Sequence, residues 1–190
     1  KPMNTVERRI YDFVKKNPGR GLRALDAGCG NGHNIPEIVS GGYRAYGVDT
    51  SFNALQSARR HASEGVYVQC DIRDLPFPKE TFSLVICETV LSTMDISGIK
   101  KAIGEMERVL CSGGHILLSD FSRFDPGFRK RRGREVSECA PLVKHYFSSN
   151  EITGLMKSFN IENLWQAKKR DKSHGRPHNH FLIYSIGLKK

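Results

Sequence analysis

The chain has 190 residues, with 30 Lys+Arg against 20 Asp+Glu and a formal net charge of +10. That length suits one domain with a filled core, and a hydrophobic fraction of 38% is above that of a disordered chain. There is no run of 18 apolar residues, so no membrane-spanning helix and no membrane partner are expected, and no secretory leader is visible. The five cysteines, Cys29, Cys70, Cys87, Cys111 and Cys139, include no C-x-x-C pair. An odd, dispersed set predicts buried, reduced thiols, a cytoplasmic protein and no metal site.

The elements follow in order. "TVERRIYDFVKK" places Val6, Ile10, Phe13 and Val14 at helical spacing and predicts an opening amphipathic helix. "LRALDA" is the first strand, and "HNIPEIVS" is a short helix stopped by Gly41-Gly42. "YRAYGVD" is the second strand, and "SFNALQSARRHA" is a helix capped by Ser51 or Thr50. "VYVQCD" and "FSLVICE" are the third and fourth strands. "ISGIKKAIGEMERVL" is a long helix ended by Ser112-Gly113-Gly114, and "HILLSD" is the fifth strand. Residues 121–147 are irregular and rich in Arg, Gly and Pro, "SSNEITGLMKSF" is a capped helix, and "IENLWQAKKR" and "HFLIYSIGLK" are two late strands. Alternating strands and helices imply a parallel sheet covered on both faces, and two late strands without an intervening helix imply an antiparallel ending. The expected fold is therefore α/β: a Rossmann-like, doubly wound, mostly parallel seven-stranded sheet with an antiparallel C-terminal hairpin. Strands 1, 4 and 5 are the most continuously apolar and should be central.

Ligands of such sheets bind at the C-terminal ends of the central strands. The loop "DAGCGNG" after the first strand places Gly28, Gly30 and Gly32 there, just before a helix start. Glycines admit backbone conformations closed to other residues and leave room for a ligand. The third glycine comes one residue too early for G-x-G-x-x-G, and no phosphate-binding G-x-x-x-x-G-K-[ST] is present. Asp49, 17 residues after Gly32, ends the second strand, where a carboxylate can accept both hydroxyls of a ribose or cap the next helix. Asp71 can accept from an exocyclic amine, and Ile72 can pack on a purine face.

The ordered set "LDAGCGNG", "GVD", "CDIRDLPF", "FSLVICETVL" and "EMERVLCSGGHILLSD" resembles the class I S-adenosylmethionine-dependent methyltransferases, over about residues 22–120. It is most similar to the small-methyltransferase group that includes ubiquinone-biosynthesis-type enzymes. The resemblance implies S-adenosyl-L-methionine as cofactor. It implies that Asp26, Gly28, Gly30 and Gly32 shape the loop around the methionine part, with backbone contacts from Gly28 and Cys29. Asp49, with Thr50 beside it, would hold the ribose, and Asp71 and Ile72 the adenine. The Cys87 carbonyl and Glu88 would lie beside the methionine amine and the methyl group. Many members carry one or two His after the "VL" of the fourth motif, where this chain has Ser92-Thr93. No catalytic residue is assigned, since Glu88 and Asp120 are strand-end carboxylates that can equally be structural.

The resemblance also implies one domain over residues 1–190, with a cofactor-binding half (1–120) and a substrate-facing segment and hairpin (121–190). The expected reaction is in-line methyl transfer to a small molecule. Residues 123–134 carry six Arg/Lys and one Asp, interleaved with Phe124 and Phe128, and residues 168–176 carry five positive charges and one negative. Such segments fit an RNA acceptor, the alternative, as well as an anionic small molecule or a solvated face. A non-catalytic cofactor-binding subunit and an NAD-dependent oxidoreductase are the remaining alternatives. His174, His178 and His180 cluster in the last turn, and His178 and His180 share a face if both lie on the strand.

Overall fold

The structure is a computed structural model that describes residues 7–128, 143, 145–171 and 178–190. In chain order these form α1 (Glu7–Lys16), β1 (Arg23–Ala27), α2 (Ile35–Ser40), β2 (Arg44–Asp49), α3 (Phe52–His61), β3 (Val66–Gln69) and β4 (Phe82–Glu88). A 3₁₀ turn (Leu91–Thr93), α4 (Ile96–Val109), β5 (Leu110–Phe121), α5 (Ser149–Leu155), β6 (Phe159–Asp171) and β7 (His178–Lys189) follow. The strands make one seven-stranded sheet in the order β3-β2-β1-β4-β5-β7-β6. β1 to β5 pair in parallel, whereas β7 is antiparallel to both β5 and β6. The sheet has the expected class, and β1, β4 and β5 are its three middle parallel strands.

Strand alternation sends successive side chains to opposite faces. Leu25, Ala27, Val85, Cys87, Ile116 and Leu118 pack with Ile99, Met106 and Ile152 on the α4–α5 side. Ala24, Ala45, Leu84, Ile86 and Leu117 meet Val14, Ile38 and Leu55 on the α1–α3 side. Both faces of the central strands are apolar because helices cover both.

Two local expectations change. Ser112-Gly113-Gly114 does not stop the long helix, which ends at Val109 and passes straight into β5. Leu110 pairs with Phe82, and the ladder resumes at Leu84↔His115. The intervening residues bulge out with Gly113 in the left-handed region (φ +73°). The third strand stops at Gln69, which leaves Asp71 and Ile72 in the loop beyond it. Of the described cysteines, Cys29 and Cys87 are buried, whereas Cys70 and Cys111 are partly exposed, and none is in a disulfide. Cys139 lies outside the described residues.

Candidate functional site

The parallel strands β1, β2 and β4 deliver their C-terminal ends to one edge, and the glycine loop begins there. Gly28 has φ +81°, and a Cβ on it would stand 2.4 Å from a methyl of Val90, so only bare backbone fits. The backbone N–H groups of Gly28 and Cys29 both donate to the Val48 carbonyl (2.8 and 2.9 Å), which pins the loop to β2. Gly30 N donates to Asp49 Oδ2 (2.9 Å) and Ser51 N to Asp49 Oδ1 (2.8 Å). Asp49 is thus fixed through both oxygens, each with a further lone pair to offer. The helix cap is a different residue, because the Ser51 hydroxyl accepts from Ala54 N (3.2 Å). Gly32 answers to packing: a Cβ there would come within 3.0 Å of Ala58 and the Tyr67 hydroxyl.

A cleft of about 730 Å³, open to solvent, lies over this edge. Among the residues singled out in the sequence, Gly28, Asp49, Thr50, Asp71 and Ile72 line it together. Arg73, Val90, Thr93 and Met94 line it too, and the sequence motifs give none of them a cofactor contact. Asp71 receives a two-pronged contact from Arg73, whose Nε lies 2.9 and 3.0 Å from its two oxygens. This guanidinium holds the Asp71 carboxyl below the ordinary carboxylate range. Ile72 is 3% exposed and packs into the core beside the cleft.

Behind the loop is Asp26, 1% exposed. Its Oδ1 accepts from Asn34 Nδ2 (3.3 Å), while Oδ2 is buried without a hydrogen-bond partner. Burial pushes its carboxyl up to about 7; the Asn34 bond opposes the rise, and the negative charges of Glu88 and Asp49 add to it. Asp26, Asp49 and Glu88 therefore form a group of carboxylates around one loop. Burial also lifts the Cys29 and Cys87 thiols far above their ordinary value, so both are unreactive apolar side chains.

Cys87 and Glu88 line a narrow hollow with Ser119, Trp165 and Tyr184. Lys169 Nζ lies 3.2 Å from Glu88 Oε1, an ion pair spanning 81 positions of sequence. Asp120 does not face the cleft. It is 3% exposed and accepts from the backbone N–H groups of Ser92 (3.0 Å) and Phe121 (2.8 Å). Burial raises it to about 6, against the hydrogen bonds it accepts.

The basic segments are divided by their surroundings. Arg123 donates to Glu151 Oε2 (3.2 Å) and the Tyr146 carbonyl (3.3 Å), and residues 129–134 lie outside the described set. On β6, Lys168 and Arg170 are exposed while Lys169 turns inward to Glu88. His178 and His180 do share a face, with their Nε2 atoms 2.9 Å apart. Asp125, which no motif flagged, accepts from His180 Nδ1 (2.9 Å). His174 and residues 172–177 lie outside the described set. Among the described residues no group of three or more His, Cys, Asp or Glu side chains is arranged to hold a metal ion.

Residues 25–118 match a family described as Methyltransferase domain. The chain is 32% identical over 125 residues to a malonyl-[acyl-carrier protein] O-methyltransferase of Erwinia pyrifoliae, covering 66% of this chain and 47% of that protein. It is 31% identical over 130 residues to a ubiquinone biosynthesis O-methyltransferase of Alkalilimnicola ehrlichii, covering 65% and 52%. The chain thus spans about half the length of these curated relatives. Among solved structures, a SAM-dependent methyltransferase from Methanosarcina mazei superposes with a TM-score of 0.78 at 20% identity, covering 94% of this chain and 98% of that one. That likeness establishes the fold.

Proposed function

The chain belongs to the class I S-adenosylmethionine-dependent methyltransferases, and on that premise we propose that it transfers a methyl group to a small-molecule nucleophile. The residues present suit the cofactor. Gly28 presents bare backbone to the cleft, because a Cβ on it would collide with Val90. Asp49 stands fixed at the end of β2 with lone pairs to spare for ribose hydroxyls. Asp71 and Ile72 share the same cleft and would hold the adenine edge and face. Thr50 lines the cleft beside Asp49, and the Gly28–Cys29 backbone would meet the methionine part. Glu88 and the Cys87 carbonyl would stand near its amine.

The observation that carries the proposal is the set of carboxylates around the loop. Asp26 buries an oxygen with no partner, and Glu88 and Asp49 deepen the negative field. Such a site favours a cation and opposes a dinucleotide's pyrophosphate. S-adenosylmethionine, when bound, supplies a sulfonium methyl as electrophile beside an α-ammonium group. The protein's share of the work is then to position the reacting groups and exclude water, which accounts for much of the barrier reduction in a two-reactant displacement.

Calorimetry with S-adenosylmethionine, S-adenosylhomocysteine and NAD tests the cofactor. Both adenosyl compounds should bind and NAD should not; binding of NAD alone overturns the assignment. Because Asp26 is ionised only above about 7, affinity for S-adenosylmethionine should weaken as the pH falls from 8 to 6. Asp49→Ala should weaken both adenosyl compounds by roughly tenfold or more, the scale of a lost charge-assisted bond. For the acceptor, radiolabelled methyl transfer is followed into a deproteinised metabolite extract and, separately, into total tRNA. Label in tRNA alone would overturn the small-molecule class.

A further inference from the structure

The loop after β3 is tied down at two places, and the two ties do different work. At the rear, Leu75 N donates to Glu105 Oε2 (2.8 Å). Arg108 donates through Nη2 to the Leu75 carbonyl (2.9 Å) and through Nη1 to the Phe77 carbonyl (2.7 Å). Glu105 and Arg108 are themselves paired on α4 (2.8 Å), so the helix fixes the backbone of this loop without help from Arg73. At the front, Arg73 folds back on Asp71. Its backbone N–H donates to Oδ1 (2.8 Å), its Nε spans both oxygens (2.9 and 3.0 Å), and its Nη2 donates to Oδ2. The side chains of the pair are 48% and 33% exposed, and an ion pair so open to water contributes little to stability. Its effect falls on what enters the cleft.

A carboxylate has about four lone-pair positions. Three donors of Arg73, its backbone N–H, Nε and Nη2, engage Asp71, which leaves room for about one more. Turning the carboxylate would break the two-pronged contact, and the guanidinium beside it keeps it ionised. Asp71 is therefore a fixed acceptor with one vacancy, and it lines the cleft together with Arg73, Met94 and Asp95. The aliphatic part of Arg73 is seated as well. Its Cδ lies 3.5 Å from where a Cβ on Gly98 would stand, in the first turn of α4. Its charge is favoured by Asp71 first and by Asp95 more weakly. The guanidinium thus spans the two lips of the cleft, the loop after β3 and the start of α4.

We propose that Arg73 is the positioning residue that makes the cleft specific for a 6-amino purine: by engaging all but one position of the Asp71 carboxylate, it presents a fixed acceptor to an exocyclic amine and a repulsive one to a 6-oxo base. This rests on the adenosyl-cofactor reading above. An amino hydrogen fills the vacancy on Asp71. A carbonyl oxygen in the same place meets a negative charge that can neither turn away nor take up a proton, so the wrong base is rejected by repulsion as well as by a missing bond. Arg73 acts through Asp71 and touches no reacting atom. Lys101 of α4 adds a weaker positive field at Asp71, which loss of Arg73 leaves in place, so the orienting contact and not the charge alone is what Arg73 supplies.

Calorimetry on the full chain with S-adenosylhomocysteine and its 6-oxo analogue, S-inosylhomocysteine, tests the assignment without turnover. The wild type should prefer the adenosyl compound by about a hundredfold or more, the scale on which a site built for a hydrogen bond rejects an analogue that lacks it. Arg73→Met should weaken the adenosyl compound by roughly tenfold and leave the inosyl compound within about threefold, so that the preference collapses. Arg73→Lys keeps the charge without the planar contact and should recover only a minor part of the preference. In an Asp71→Asn background, Arg73→Met should change neither affinity by more than about threefold, because the residue it acts through is already altered. A loop-shaping role would weaken both compounds equally in Arg73→Met, and that result overturns the proposal. So does a preference that survives Arg73→Met, or one that Arg73→Lys restores in full. A wild type that binds both compounds alike overturns the proposal and leaves the cofactor reading standing. A wild type that binds neither defeats the cofactor reading, and this proposal with it.

Discussion

The two halves of this molecule handle polar groups in opposite ways. Between β1 and β5 two carboxylates keep bonding capacity in hand: Asp49 is pinned by two backbone N–H groups with lone pairs to spare, and Asp26, held by Asn34 through one oxygen, buries the other with no hydrogen-bond partner. Beyond β5 the polar side chains close on one another. Asp125 joins His180 and His178, Glu151 joins His145 and Arg123, and Ser122 joins Gln166, which in turn reaches Ser149. The first pattern suits a site completed by a ligand; the second suits a scaffold completed by itself. One half should therefore lose binding when altered, and the other should lose stability.

The sharpest test of that contrast is Asp125→Ala, which strips partners from two backbone N–H groups and a ring nitrogen in a buried place. Leaving buried donors unsatisfied costs about 1–3 kcal/mol each, so chemical denaturation should show a loss of about 3 kcal/mol or more, with S-adenosylhomocysteine affinity little changed in the folded fraction. Next comes Gly28→Ala. Its positive φ and the Val90 methyl 2.4 Å away predict a strain cost of about 1–3 kcal/mol, and cofactor binding should weaken at the same time. Asp26→Asn should weaken cofactor binding yet leave the apoprotein folded, and it carries a signed pH signature. The folded carboxyl is raised from 3.8 to about 7, so between those values the native state holds a proton that the unfolded chain has lost. That contribution to stability is present below about 4 and is lost as the pH rises toward 7. The urea midpoint of the wild type should reflect this fall and that of the variant should lack it, apart from the smaller contribution of Asp120, raised to about 6. The smallest effect belongs to Lys169→Met. A half-buried ion pair should contribute less than about 1 kcal/mol to stability, so a larger loss would blur the distinction between the halves.

The sequence reveals the first half well because local physics decides it. The two-residue and 3.6-residue periodicities mark β1, β4 and α4, the Ser51 and Ser148 caps sit where a hydroxyl precedes a helix, and glycine is demanded where φ is positive at Gly28. Val90 stayed hidden because its role is to touch the empty side of a glycine 62 positions away in sequence. Arg73 stayed hidden because a charged residue next to an aspartate reads as solvated surface until the chain folds the guanidinium onto it. The second half is harder still: Lys169 meets Glu88 across 81 positions and His180 meets Asp125 across 55. Those meetings depend on the antiparallel register of β7, which no local pattern specifies. The glycines at 113 and 114 misdirect because a bulge inside a ladder and the end of a helix use the same residue for the same left-handed turn.

The strand order has a further consequence, for synthesis of the chain. β7 lies between β5 and β6, so β6 leaves the ribosome before β7, its partner among the described residues, exists. Until β7 arrives, the edge of β5 from His115 to Phe121 presents unpaired backbone beside an apolar surface, and α5 packs with no finished sheet beneath it. The final insertion therefore unites the longest-range contacts of the domain in one late event. A nascent chain of this design is most exposed to edge-to-edge association in that interval, and substitutions that slow β7 pairing should reveal themselves as poor yield before they alter the finished protein.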